Sequence, residues 1–167
     1  MDIKFGSNGI VMIDNAQITW RNFSGRGSDF NREGDRNFAL IIPDETAANA
    51  LSNDKNKDGV GWNVKVRPPR VEGEDPFMFL KVKVKFTARG PKVYLKTNGR
   101  LNQLDEDSIS ILDNVDIEKV DLDIRPYDDA FSGRPFRAAY LESICVTQRV
   151  DRFADRYSEV DDMDLPM

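Results

Sequence analysis

Lysines alternating with aromatic rings are the pattern in this chain best suited to chemistry, and that chemistry is recognition of a polyanion. In Pro76-Phe-Met-Phe-Leu-Lys-Val-Lys-Val-Lys-Phe86, period-2 alternation places Met78, Leu80, Val82, Val84 and Phe86 on one face of a strand. Phe77, Phe79, Lys81, Lys83 and Lys85 fall on the other. Further on, Lys92, Tyr94 and Lys96 alternate against Val93 and Leu95. A ring on a polar face is costly unless something covers it. A nucleobase is such a cover: each stacked base contributes about 1–3 kcal/mol without its identity being read, while neighbouring cations neutralise phosphates. Lys65 and Arg67 lie just upstream, Trp20 and Arg21 stand in Thr19-Trp-Arg-Asn-Phe23, and Arg26, Phe30 and Arg32 stand in the Gly-rich stretch from Ser24 to Asp35. The candidate nucleic-acid-binding set is therefore Trp20, Arg21, Arg26, Phe30, Lys65, Arg67, Phe77, Phe79, Lys81, Lys83, Lys85, Lys92, Tyr94 and Lys96. The plainer reading of the lysines alone is a solvated strand face; the interleaved rings argue against it.

Other chemistries find less support. The chain has no histidine, which removes imidazole general bases, Ser-His and Cys-His nucleophiles and histidine metal ligands. Asp54-Lys-Asn-Lys-Asp-Gly59 opens like a calcium loop, but the twelfth position holds Lys65 instead of a bidentate carboxylate, so it is read as a turn. Asp121 and Asp123, with Asp113, Asp116 and Glu118 nearby, are raw material for a two-metal nuclease. The acid-x-Lys triplet such a nuclease needs occurs only as Asp2-Ile-Lys4 at the terminus. No phosphate-binding glycine loop is present. The reading is a protein that is not an enzyme and needs no cofactor or metal. The lone Cys145, in Tyr140-Leu-Glu-Ser-Ile-Cys-Val146, reads as a small buried hydrophobe.

Charge is distributed to suit that reading. The net charge is −5, yet Val60 to Arg100 carries ten Lys and Arg against three acids, whereas Leu101 to Asp129 carries two against ten. A basic stripe on a near-neutral body is the electrostatic footprint of a groove that follows phosphates.

The elements needed to hold these side chains are strands. Beside the two already named, strands are expected at Ile10 to Phe23, Arg36 to Ile42, Trp62 to Arg67, Lys119 to Arg125 and Ala138 to Val150, with Trp62 in the core and an Asn98-Gly99 hairpin turn of type I′. Helical signals are confined to Pro43–Leu51, capped by Asp44, and to Asp105–Leu112. Ser24–Asp35 and Phe131–Arg137 read as loops. The fold class expected is mainly β: a Greek-key barrel of the oligonucleotide-binding (OB) type with one or two short helices, although a jelly roll would give a similar string. Residues 1–151 form the single nucleic-acid-binding domain and 152–167 a flexible acidic tail. No membrane span or secretory signal is read from the sequence, and a cytoplasmic protein is expected.

The tail supplies the family resemblance. Its last ten residues, Ser158-Glu-Val-Asp-Asp-Met-Asp-Leu-Pro-Met167, carry four carboxylates and no cation and end on an apolar tip. The tail resembles the acidic C-terminus of single-stranded DNA-binding proteins of bacteria and their phages, with Met167 where an aromatic tip is common. The resemblance implies sequence-nonspecific binding of single-stranded DNA in phage replication, recombination or repair, in the host cytoplasm. It also implies recruitment of replication or recombination proteins through Asp161, Asp162, Asp164, Leu165, Pro166 and Met167. A homo-oligomer is compatible with the sequence. The competing class is a structural or assembly protein of the virion jelly-roll type.

Overall fold

Residues 1–150 are described by the structure, a computed structural model. Ten strands run through them: β1 (Asp2–Phe5), β2 (Val11–Ala16), β3 (Ile18–Asn22), β4 (Arg36–Ile42), β5 (Lys65–Arg67), β6 (Phe77–Val84), β7 (Lys92–Thr97), β8 (Arg100–Leu104), β9 (Ile117–Phe131) and β10 (Arg134–Gln148). One α-helix, α1 (Glu45–Ser52), and short 3-10 turns at Ser7–Gly9 and Ile109–Asp113 complete them. The expectation of a mainly β chain holds.

All ten strands belong to one sheet, seven of them along the path β1-β2-β9-β10-β6-β4-β3, with β5 pairing off β6, β7 off β10 and β8 off β7. β1 and β3, the ends of this path, do not pair with each other, so the expected barrel is not closed by backbone hydrogen bonds. Nor are there two separate sheets as in a jelly roll. Two junctions decide where the outer side chains meet. One edge of β6 pairs along β4; its other edge pairs first with β5 and then, in parallel, with β10 at Ala139 and Tyr140. In the same way β6 and then β7 occupy successive stretches of one edge of β10, with β9 along the other. β6 and β7 are thus joined only through β10.

The alternation read in β6 is the one observed. Leu80, Val82 and Val84 are buried against Phe38, Leu40 and Ile42 of β4 and the core residues Val11, Ile13, Ile124, Leu141 and Ile144. Phe23 and Phe38 stack with centroids 5.1 Å apart. Trp62 is in the core as expected, its Nε1 donating to Asp54 Oδ2 at 2.9 Å. The turn at Asp54–Gly59 is closed by Asn56 Oδ1, which accepts from the amides of Asp58 and Val60. Asp44 caps α1 by accepting from Ala47 N at 2.8 Å, and Ala47 and Leu51 fasten the helix to the core. Asn98 and Gly99 both have positive φ, 50° and 78°, as a type I′ turn requires.

Four expectations are corrected. Asp105–Leu112 is not a helix: Asp105 and Ser108 hydrogen-bond each other into a turn, and only a 3-10 segment follows at Ile109–Asp113. Phe131–Arg137 is not a loop but the end of a hairpin, β9 and β10 continuing to a two-residue turn at Ser132 and Gly133, φ 51° and 77°. The strand expected from Trp62 begins only at Lys65. Cys145 is half-buried on the outer face rather than in the core; burial, then the carboxylate of Asp121, push its thiol pKa up. The tail lies outside the described residues.

Candidate nucleic-acid interface

Trp20 shows how local backbone geometry builds the site. The β3–β4 register shifts between Thr19 and Asn22, which marks a bulge, and Trp20 within it has φ 49°. A left-handed backbone is costly for a bulky side chain and persists only where surrounding packing holds it. Here the bulge leaves the indole half-exposed against the outer face of β6. Its centroid lies 5.4 Å from Phe77 and 5.0 Å from Phe79, in edge-on contact with both. Phe77 and Phe79 stack at 5.6 Å. β5 pairs with this end of β6 so that Arg67 is opposite Phe77 and Lys65 opposite Phe79. The Arg67 guanidinium then stands 5.0 Å from the centre of the indole. A cavity of about 380 Å³, lined by Trp20, Ile41, Arg67, Pro68 and Phe77 among others, opens beside the rings.

The lysines continue the same face. A second, more polar groove of about 420 Å³ is lined by Lys81, Lys83, Lys85, Asn37, Gly34 and Tyr140 among others. Partial burial, then the charges of Lys83 and Lys65, lower the pKa of Lys81, with Asp35 opposing them. Across the sheet from two of these lysines stand uncharged residues, Asn37 opposite Lys83 and Ala39 opposite Lys81, with Ile41 opposite Phe79. The nearest β4 partners of Lys81 and Lys83 therefore carry no charge, while Asp35 and the Arg36-paired Glu106 line the same groove and offset part of its positive potential.

The other candidate residues divide. Arg21 is committed elsewhere: its Nη1 donates to the carbonyls of Leu112 and Val115 at 2.9 and 2.7 Å, tying β3 to the 3-10 turn. Arg26 and Phe30 lie on the 24–35 segment, whose shape is set by its own hydrogen bonds. Asn22 Oδ1 accepts from Arg26 N, Asn31 Nδ2 donates to the carbonyls of Arg26, Arg32 and Asp35, and Asp113 holds the base by accepting from Phe23 N, Ser24 N and Ser24 Oγ. Phe30 at its tip is 97% exposed. Lys92, Tyr94 and Lys96 do share the outer face of β7, but β7 is joined to the strand that carries Phe77 and Phe79 only across β10. They lie opposite Ser143, Cys145 and Thr147 of β10, which lie in turn opposite Asp123, Asp121 and Lys119 of β9.

Three of the five acids considered for metal chemistry, Asp113, Asp121 and Asp123, are used as hydrogen-bond acceptors. Asp121 accepts from Asn15 N at 3.0 Å and meets Lys119 at 3.5 Å, and Asp123 accepts from Ser143 Oγ at 3.0 Å. Sequence reasoning missed Tyr140 and its neighbours Tyr127 and Arg125. Tyr140 is the partner of Lys83 across the β6–β10 junction and lines the lysine groove. The available signal was parity, since Tyr140 alternates with the buried Ala139 and Leu141. The site can hold a chain that is anionic along its backbone and flat-ringed along its side groups.

Comparison with known proteins agrees with this chemistry. Solved structures of the single-stranded DNA-binding protein from bacteriophage Enc34 share the fold. A C-terminally truncated form superposes with a TM-score of 0.55 at 12% identity, covering 89% of this chain and 91% of that one. A form in complex with ssDNA gives 0.54 at 14% identity over 90% and 93%. A further structure gives 0.54 at 16% identity over 93% of each. No curated protein matches the chain in sequence. The family model of the phage ssDNA-binding domain matches residues 4–166, nearly the whole chain, and the protein therefore belongs to that family of non-enzymatic binders.

Proposed function

We propose that this protein binds single-stranded DNA without sequence preference on the outer face of β3, β5 and β6. The observation that carries the proposal is the cluster of Trp20, Phe77 and Phe79 under the Arg67 guanidinium, continuous with Lys81 and Lys83 on one strand. Bases stack on the rings, and Lys65, Arg67, Lys81, Lys83 and Lys85 neutralise phosphates. Stacking on rings and neutralisation of phosphates do not depend on base identity, so sequence preference is weak. Membership of the family and the likeness to a protein solved with ssDNA support the reading.

In that role the protein coats single strands during phage replication, recombination and repair in the host cytoplasm, in the manner of an OB-type binder. The family match reaches residue 166 and so takes in Asp161, Asp162, Asp164, Leu165 and Pro166. The tail ending at Met167 recruits replication or recombination proteins, its apolar tip entering a pocket and its acids meeting a basic rim. The test is anisotropy of a labelled oligo-dT strand at two salt concentrations with duplex as competitor. Salt-weakened binding that prefers the single strand supports the proposal. No binding at low salt would reduce the basic face to a solvated surface and favour the structural-protein alternative. Deleting residues 158–167 is expected to abolish pull-down of replication proteins while leaving the strand bound.

A further inference from the structure

Tyr127 and Tyr140 form a second aromatic pair on the outer face, away from the Trp20 cluster. Their rings meet edge-on with centroids 5.4 Å apart. Tyr140 sits at the β6–β10 junction as the partner of Lys83, whose Nζ lies 6.0 Å from its ring centre. Arg125, opposite Tyr140 on β9, places its guanidinium 5.2 Å from the same ring. Tyr127 is 44% exposed, although its ring is large and its hydroxyl is already used as a donor to Asp129 at 3.0 Å. The ring face is what remains without a partner of matching shape.

The position of the pair relative to the first cluster is fixed by register. Phe79 and Lys83 are four residues apart on β6, about 13 Å at the rise of a strand. Lys81 lies between them on the same face, and Tyr140 lines the groove that holds Lys81, Lys83 and Lys85. The order across the surface is therefore rings, cations, rings. Charge at the second pair is modest, because Glu142 lies 3.4 Å from Arg125 and shares its guanidinium with the tyrosine. This end of the surface offers stacking more than phosphate neutralisation, with Lys83 the cation that faces it.

The hairpin beyond the pair is held rigidly at its root. Arg137, 7% exposed, donates to both carboxylate oxygens of Asp128 at 2.7 and 3.0 Å and to the carbonyl of Asp54 at 2.9 Å, and lies over the Trp62 ring. Tyr127 and Asp128 are adjacent, so the anchor that fixes one fixes the backbone of the other. A stacking ring on such a root needs little ordering when a base arrives.

We infer that Tyr127 and Tyr140 are a second base-stacking station for the same DNA strand, which crosses from the Trp20 cluster over Lys81 and Lys83 toward the β9–β10 hairpin and not along β7. The inference rests on the proposed single-strand binding and adds the direction and length of the path. A short oligonucleotide fills the first station only; a longer one reaches both.

The experiment compares the full chain with Tyr127→Ala and Tyr127→Phe on oligo-dT of about 4 and about 16 nucleotides, the range of site sizes for such folds. Quenching of tryptophan fluorescence is read beside affinity, the exposed Trp20 being the ring a base can reach and the buried Trp62 a constant background. Tyr127→Ala is expected to weaken binding of the long strand at least about fivefold, the lower bound for loss of one stacked base. It is expected to leave the short strand unchanged, and Tyr127→Phe is expected to behave as the parent. Unchanged long-strand affinity in Tyr127→Ala with normal Trp20 quenching would overturn the second station and leave the first intact. An equal loss on both lengths would overturn it too, since Tyr127 would then act on the first station or on the fold. Absence of both binding and quenching in the parent would instead remove the single-strand reading on which the inference stands.

Discussion

β6 and β7 carry nearly the same outward pattern, Lys81-Val-Lys83-Val-Lys85 in one and Lys92-Val-Tyr94-Leu-Lys96 in the other, and the sheet puts them to different use. β6 is flanked by the cationic β5 and by the uncharged outer residues of β4, with Trp20 delivered onto it by the β3 bulge. β7 is paired to β10, and beyond it β9 presents Asp121 and Asp123. The same lysines are reinforced in one place and offset in the other. A charged stripe becomes an interface only through the strands beside it, because the potential at a phosphate sums over all of them.

The largest expected effect that would break this comparison is loss of the indole. Trp20→Ala should weaken oligo-dT binding about 5- to 150-fold, the range for one stacked base, while Tyr94→Ala changes it less than about twofold. Equal losses in an anisotropy titration would mean that the strand also follows β7. Next in size is Arg67→Ala, which removes a phosphate partner and the cation that faces the indole. A loss of about tenfold is expected, together with a smaller salt dependence. A modest gain would sharpen the contrast from the other side. Replacing Asp123 by Asn keeps an acceptor for Ser143 but deletes a charge, so low-salt affinity should rise about two- to threefold if that carboxylate offsets the β7 lysines.

The smallest effect concerns pH. Burial and the neighbouring lysines hold the pKa of Lys81 below the ordinary lysine value. A bound phosphate favours the charged form, so binding takes up a proton in the alkaline window where free Lys81 has begun to lose its own. Affinity should therefore fall as pH rises through that window, with the fall reduced in Lys81→Gln. The same lowering means that Lys81 opposes folding slightly at neutral pH, and that this cost is relieved as pH rises between the lowered value and the unfolded one. Thermal unfolding of Lys81→Gln at neutral pH should accordingly show no loss of stability.

Much of this was legible before the fold was known, and for identifiable reasons. The faces of β6 followed from strict alternation over eleven residues, and β4 was found at Arg36–Ile42, where its apolar run is bounded by charge and proline. Parity failed where the backbone departs from period 2. Trp20 lies in a bulge, so alternation could not decide its face. Arg21 looked like a phosphate ligand because nothing local shows that Leu112 and Val115, some ninety residues away, present carbonyls to it. β8 went unseen since it is exposed almost throughout and has no apolar face to alternate. Tyr140 was missed because its value comes from register with Lys83 across a parallel junction, and Tyr127 because it meets Tyr140 across the β9–β10 pairing, neither of which sequence order displays.

The most direct test of the central claim is the salt dependence of oligo-dT affinity in Lys81→Gln/Lys83→Gln beside Lys92→Gln/Lys96→Gln. Each phosphate contact on a single strand contributes about 0.7 to the slope of log affinity against log salt. The expected result is a slope reduced by about 1.4 in the β6 pair, at roughly 0.7 for each of two lysines, and unchanged in the β7 pair. Equal reductions in both, or a reduction in the β7 pair alone, would contradict the account.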